Sequence, residues 1–408
     1  MGKTVALADK SGRVIFASPG QIAATDGMLV RRPNRRIELP FFISKYAIRQ
    51  SAASLVDGGG NPVVKQPQYA YLRDPRNKSL PVSETRREEV VSFLSRLPLI
   101  GKAIRKQAVR KDLWAREMSE LLGRHGSIYI KPAALTGSGK FVCRVSISGG
   151  KLVISTSDES LASKLAQAGV KNEDGDFVIA KGNRAELLSG FERFVRDDYL
   201  GILAVSGRSA EMIAEQEIPS ETVDGGKVDF RYLCQLYGET YRTPATYAKI
   251  GRPGGTVANI GPVGKGKPTI STLAKIIAAR FQDRPRPDIL RAARELHSQM
   301  KRQSELISNR LIADALATHA SRHPLLNPLK NPAKPLLMAV DFAIVYDERG
   351  KTFEPWLTEV NQGNVTITGL ATANPRKYRQ VLEQHAKGLA SRVDAYARKE
   401  RRPETRSV

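Results

Sequence analysis

The run Leu337-Met338-Ala339-Val340-Asp341-Phe342-Ala343-Ile344 sets one carboxylate in the middle of an apolar strand. Trp356-Leu357-Thr358-Glu359-Val360-Asn361 sets a second at the end of the next. Two buried acids repel unless a cation lies between them. Two acids and an amide on adjacent strands form a set of hard oxygen ligands, which is what Mg2+ bound to substrate phosphates uses. The alternative cation is Arg231, which interrupts the apolar run Val228-Asp229-Phe230-Arg231-Tyr232-Leu233. A buried guanidinium seeks a carboxylate or phosphate in bidentate contact. The blander reading of that run is an Asp229–Arg231 surface pair, worth little.

The chain around these strands has 408 residues, 41% hydrophobic and 26% charged. That is ordinary globular composition, and it excludes collagen, coiled coil and wholesale disorder. At about 150 residues per domain, two or three domains are expected. Lys and Arg number 65 against 41 Asp and Glu, a formal charge of +24, which favours polyanionic company such as nucleotide phosphates, nucleic acid, an acidic peptide or an anionic surface. Cys143 and Cys234 cannot build a disulfide framework or a four-ligand zinc site, and the histidines do not pair at metal-ligand spacing. Met1 to Gly12 lacks the apolar stretch of a signal peptide, and no apolar run reaches about 18 residues. A cytoplasmic, reduced protein without membrane contact is expected.

Strand and helix patterns mix along the chain without an internal repeat, which argues α/β or α+β. Short strands are predicted at Val5 to Ala8 and Val14 to Ala17, and an exposed cluster follows at Arg31, Arg32, Arg35 and Arg36. Gly58-Gly59-Gly60 marks a loop, and Arg86 to Arg96 reads as a helix. Residues 1–105 are expected to form a separate N-terminal α/β unit, 106–398 the main domain and 399–408 a charged tail. In the main domain, helices are predicted over 102–124, Glu186 to Leu200, Ile270 to Arg280, Pro287 to Leu316 and Tyr378 to Arg398. Strands are predicted at Ser127 to Lys131, Phe141 to Ile147, Leu152 to Ser155, Phe177 to Ala180, Met212 to Ile218, Phe230 to Leu236, Leu336 to Val345 and Trp356 to Val360.

Three further segments carry candidate chemistry. Lys131 ends an apolar strand and precedes Thr136-Gly137-Ser138-Gly139-Lys140. A strand-end lysine needs an anion, and a Gly/Ser/Thr loop lets backbone N–H groups close on phosphate oxygens. A plain hairpin with a polar tip accounts for the same residues. Glu215-Gln216-Glu217-Ile218 reads as an interdomain hinge offering hydrogen bonds to an adenine edge, or as a polar edge strand. Lys249-Ile250-Gly251-Arg252, with the glycines and lysines up to Lys267, reads as a mobile basic lid or a basic loop without function.

In this order, the segments resemble the ATP-grasp superfamily. Ala214 to Gln235 and Ala248 to Gly261 look closest to its YheC/YheD-type branch, named for spore-coat-associated proteins. The resemblance covers roughly 105–390. It implies two α/β subdomains clasping ATP, about 127–218 as the smaller lid and 219–398 as the larger, metal-binding part. It also implies a ligase that joins a carboxylate to an amine through an acyl phosphate. By motif, Lys131 and, from a helical stretch, Lys111 would touch phosphates, Thr136 to Lys140 would form the flap, and Glu215 to Ile218 would hold adenine. Arg231, Lys249 and Arg252 would meet the transferring phosphoryl group, and Asp341, Glu359 and Asn361 would hold one or two Mg2+, with Mn2+ as a substitute. Gln362-Gly363-Asn364 stands where the family often has a proline-glycine turn, and Lys140 stands where a glycine is more usual. The implied partners are small-molecule or peptide carboxylates and amines, acidic ones suiting the basic surface. A kinase that stops at a phosphorylated product and a nucleic-acid-binding protein without catalysis are the alternatives.

Overall fold

The computed structural model describes residues 5–8, 14–17, 45–72, 115–132, 140–173, 176–205, 212–255, 258, 267–270, 272–322, 334–362, 365 and 367–401. Strands β1 (Val5–Ala8) and β2 (Val14–Ala17) pair antiparallel, as predicted. Helix α1 (Lys45–Ala53) and strand β3 (Tyr69–Leu72) follow, then helix α2 over 115–125 and strand β4 (Ser127–Pro132). Next come β5 (Cys143–Ser148), β6 (Lys151–Ser155), α3 (Glu159–Gln167), β7 (Lys171–Glu173), β8 (Asp176–Lys181), α4 (Arg184–Arg193), α5 (Leu200–Val205) and β9 (Met212–Gln216).

Seven of these strands form an antiparallel sheet in the order β3-β9-β4-β5-β6-β8-β7. Its pleat sorts the residues by period two. Ile128 and Ile130 of β4 and Met212 and Ala214 of β9 face a core shared with Leu121, Leu122, Phe191 and Tyr199. Tyr129, Lys131, Glu215 and Glu217 alternate with them and carry the polar chemistry of the opposite face. Gly149 and Gly150 close the β5–β6 hairpin at φ 56° and 69°, a left-handed pair that a two-residue turn requires.

The predicted helix Glu186 to Leu200 is instead three pieces. Asn183 and Glu186 form a capping box at the start of α4. The ladder widens into a π turn over Phe194–Tyr199 before α5, and this turn buries Phe194, Val195 and Tyr199 together. The strand predicted from Phe141 begins at Cys143. Phe141 sits at φ 58°, and its N–H donates to Asp158 Oδ2 at 2.7 Å while its carbonyl accepts the Tyr199 hydroxyl. Both backbone groups are thus taken before a ladder can start.

The second sheet uses β10 (Thr222–Val223), β11 (Gly226–Tyr237), β12 (Thr240–Pro253), β13 (Lys267–Thr269), β14 (Leu337–Asp347) and β15 (Thr352–Gln362). Its order is β13-β12-β11-β14-β15, with β10 hairpinned onto β11. Helices α6 (Thr272–Arg280), α7 (Arg286–Arg322), α8 (Thr368–Ala373) and α9 (Pro375–Arg401) complete the fold. Even-numbered Phe230, Tyr232, Val340 and Phe342 pack on Met300, Ile307 and Leu311 of α7 and on Ile48 and Ala52 of α1. Odd-numbered Leu233, Leu337 and Ala339 pack under Leu370 of α8 and Val381 of α9. Between these and Ala343 and Val345, the same face carries Asp229, Arg231 and Asp341.

Residues 45–72 contribute to both sheets: α1 packs in the second core, and β3 pairs with β9 at Tyr69↔Glu215 in the first sheet. One expectation is corrected here. Lys249 to Arg252 is not a mobile lid but the end of the 14-residue strand β12. That strand escapes a hydropathy reading because its outward positions are Thr240, Arg242, Pro244 and Thr246, and its inward ones include Thr243 and Lys249. The predicted helix over 86–96, the arginine cluster at 31–36 and the start of the helix over 102–124 lie outside the described residues.

Candidate functional site

Register brings the two acids of the opening motif together. Asp341 of β14 lies directly opposite Glu359 of β15, and Ala339 lies opposite Asn361. The pairing then slips, so that Phe342 faces Leu357 and Thr358 is the extra residue of a bulge. The bulge matters because Leu357 and Val360 both belong to the apolar core. Without a slip between them, residues three apart in a strand would point to opposite faces. With it, Glu359 and Asn361 share the charged face with Asp341.

Asp341 is 1% exposed and is gripped by Arg231 in a bidentate pair, Nε to Oδ1 at 2.8 Å and Nη2 to Oδ2 at 2.6 Å. Lys249 Nζ adds a contact to Oδ2 at 2.9 Å, and Asn361 Nδ2 approaches the same oxygen at 3.4 Å. Burial opposes the Asp341 charge, but Arg231 and Lys249 outweigh it and hold the carboxyl at about 2. Asp229 belongs to the same group through its ion pair with Lys249, at 3.5 Å. Burial pushes Asp229 up, and Asp341 and Glu359 push it further, against the pull of Lys249. Asp229, Glu359 and Asn361 are half-buried, so one side of the cluster reaches solvent.

Two carboxylates and a carboxamide share one face on adjacent strands, the oxygen donors that a hard divalent cation takes, although among the described residues no three acids, histidines or cysteines are grouped so as to hold a metal by themselves. In the structure the cation facing Asp341 is protein-derived, so Arg231 is the neutraliser of that carboxylate that the sequence offered as the alternative to metal.

A second ionic group lies on the first sheet. Lys131 pairs with the buried carboxylate of Glu215, on the face away from the core. Arg49, 3% exposed on α1, holds the same carboxylate through Nη2 at 2.6 Å and Nε at 3.1 Å. It also donates to the carbonyls of Leu357 and Thr358, each at 2.8 Å. A path of direct contacts therefore runs from Lys131 through Glu215 and Arg49 to the bulge that orients Glu359. Burial works against the Glu215 charge, yet Arg49 and Lys131 together hold the carboxyl at about 2.

A third group bridges the sheets. Lys227 of β11 donates to Glu217 at 2.9 Å and to the Tyr129 hydroxyl, and Arg144 donates to Glu217 at 2.7 Å. Lys227 shares a face with Asp229 and Arg231, as Tyr129 does with Lys131. The charged faces of the two sheets thus meet at this end. Gln216 is engaged by its backbone N–H to Gln68 at 2.8 Å, and Ile218 is half-buried just beyond it. Lys140 and Arg252 are exposed. Lys111, Thr136, Gly137, Ser138 and Gly139 lie outside the described residues. Sequence reading missed Arg49 and Lys227. The one signal for Arg49 was a cation flanked by apolar Ile48 and small Ser51, Ala52 and Ala53 in a helical stretch.

Two antiparallel sheets whose charged faces meet across a polar linker form an ATP-grasp fold. The family model described as YheC/D-like ATP-grasp matches residues 89–314, over half of the chain, and the protein belongs to that family. No curated protein matches the chain significantly. Among solved structures, D-alanyl-alanine synthetase A from Vibrio cholerae O1 biovar eltor is similar at 10% identity, over 80% of this chain and 61% of that one, with a TM-score of 0.33. D-cycloserine synthetase DcsG is similar at 12% identity, over 69% of this chain and 61% of that one, with a TM-score of 0.31. The chain thus spans 61% of the length of each of these two proteins. Among the described residues, no helix is long and apolar enough to cross a membrane.

Proposed function

We propose that the protein binds ATP with Mg2+ between its two sheets and joins a carboxylate to an amine through an acyl phosphate. The observation that carries this reading is the register pair Asp341↔Glu359, with Asn361 beside it, facing Arg231 and Lys249 on the part of the sheet that α8 and α9 leave uncovered. Membership of the YheC/D-like ATP-grasp family supports it.

In this reading, Asp341, Glu359 and Asn361 would hold Mg2+, whose charge would offset that of the phosphates. Lys131 exchanges Glu215 for the α- and β-phosphates. Lys111 and the segment Thr136 to Lys140 close over them, and the backbone of Glu215 to Ile218 meets the adenine. Arg231, with Lys249 and Arg252, turns toward the γ-phosphoryl group as it passes to the carboxylate oxygen. Transfer breaks the bond between the γ-phosphorus and the oxygen that stays on ADP, and it makes the carboxylate oxygen a leaving group; the amine then attacks the carbonyl carbon, inorganic phosphate departs with that oxygen, and the amine's proton passes to phosphate or solvent. Such a transfer requires in-line positioning and charge stabilisation more than a protein nucleophile, and it matches a site built from cations and carboxylates. The formal charge of +24 suits an acidic small molecule or peptide as substrate.

The test is untargeted. The pure protein is incubated with ATP, Mg2+ and an extract of its source cells, and products are sought by mass spectrometry. An ATP-dependent product with the mass of two metabolites less one water supports the ligase. A stable product bearing one phosphoryl group replaces it with a kinase. Nucleic-acid binding that is strongly salt-dependent and indifferent to ATP, with no product, overturns both.

A further inference from the structure

We propose that Arg49, which lies 40 residues before the matched ATP-grasp segment, is a positioning residue that holds Glu215 so that Lys131 is free to leave it for a nucleotide phosphate. This inference rests on the ATP-binding reading above.

The geometry requires a second cation at Glu215. The carboxylate is buried, and it is shared between Lys131 on the neighbouring strand and Arg49 on α1. A buried carboxylate stripped of its partner is costly. If Lys131 were the sole counter-charge, moving it to a phosphate would leave Glu215 unpaired, and the carboxylate would compete with ATP for the lysine. Arg49 removes that competition. Its guanidinium reaches Glu215 through two nitrogens while Nη1 and Nη2 are anchored on the carbonyls of Leu357 and Thr358. An arginine satisfies this arrangement because its planar fork serves a carboxylate and two carbonyls at once.

Arg49 is itself held in place. Its carbonyl accepts from Gln66 Nε2 at 3.0 Å, Ile48 and Ala52 pack in the second core, and the Leu357 N–H donates to the Lys65 carbonyl at 2.8 Å. Segment 45–72 is therefore fastened to β15 on one side and, through β3, to β9 on the other. It fixes where Glu215 sits relative to the strand that carries Glu359.

The test measures binding of Mg2+–ATP and of adenosine by calorimetry to the full-length wild type, Arg49→Met, Arg49→Lys, Glu215→Gln and Arg49→Met/Glu215→Gln. A charge-assisted lysine–phosphate bond is the contact at stake, so Arg49→Met is expected to weaken ATP about 10- to 100-fold and adenosine by less than about twofold. Arg49→Lys, which keeps a charge beside Glu215, recovers most of the loss. In the Glu215→Gln background, Arg49→Met adds less than about threefold, because no carboxylate remains to retain Lys131. This background also removes the unpaired buried charge that would unfold the single variant. Equal weakening of ATP and adenosine, or an Arg49→Met effect of the same size in both backgrounds, overturns the inference while the nucleotide reading stands. Wild-type protein that binds no Mg2+–ATP overturns the nucleotide reading, and the inference with it.

Discussion

Replacing Glu359 by Gln separates the metal reading of the acid pair from the ion-pair reading. Asp341 is buried and its two oxygens are occupied by Arg231, Lys249 and Asn361, whereas Glu359 is half-buried at the edge of the same cluster. Glu359→Gln keeps the shape of a half-buried side chain and its capacity to hydrogen-bond, so stability without metal is expected to stay within about 1 kcal/mol of wild type. Affinity for Mg2+–ATP behaves differently. A single charge interaction at about 4 Å and an effective dielectric near 20 is worth roughly 4 kcal/mol. Losing one of two carboxylate ligands should therefore cost at least about 100-fold in the Mg2+ concentration needed for half-maximal ATP turnover. Asp341→Asn contrasts with it, because it also strands Arg231 and leaves Lys249 with Asp229 alone, and it should lose roughly 3–5 kcal/mol of stability even without metal. Urea titrations and Mg2+-dependent phosphate release read the two quantities apart. A Glu359→Gln protein that keeps wild-type Mg2+ dependence refutes the metal assignment and leaves Asp341 as a structural counter-ion.

Three further outcomes are expected. Lys131→Ala should weaken ATP binding about 10- to 100-fold with kcat little changed, whereas Arg231→Ala should lower kcat at saturating ATP by about 100-fold or more; steady-state kinetics with the reverse pattern exchange their roles. Glu215 and Asp341 are both held at about 2, below the ordinary carboxylate range. Their stabilising contribution is therefore fully present above about pH 4.5 and is lost as pH falls toward 2, each group contributing on the order of 3 kcal/mol, and urea midpoints measured from pH 7 to pH 2.5 should decline below about pH 4.5. Finally, a Cβ on Gly190 would lie 2.7 Å from the Cβ of Ala180, so Gly190→Ala should make α4 or β8 shift and lower stability by about 1–3 kcal/mol, against the usual helix-favouring sign of that change. A thermal melt at or above the wild-type midpoint would show that this contact yields.

The charged positions inside strands were legible because burying a charge is costly, so a lone Asp341 or Arg231 among apolar residues signals a partner before any partner is known. Lys131 and Glu215 carried the same signal more weakly, since strand ends tolerate charge. Arg49 carried almost none. Its partners lie 166 and more than 300 positions away, and neither a local pattern nor a family motif points to them. Lys249 was singled out for its basic neighbourhood and assigned to a loop, because β12 alternates polar with small residues and its burial depends on β11 and on the helices beyond.

From the sequence alone came the α/β class, the strand runs of β4, β11, β14 and β15, the one-face alternation of β5, the family resemblance and the residue types of the charged cluster. These follow from local rules: side-chain alternation along a strand, and the cost of an apolar run interrupted by charge. The tertiary structure alone decided that Asp341 faces Glu359, that Thr358 is a bulge returning Glu359 and Asn361 to the same face, and that residues 45–72 join both sheets. Register, bulges and long-range ion pairs depend on how separate strands align. That alignment is set by the sum of packing over whole faces, which no single segment contains.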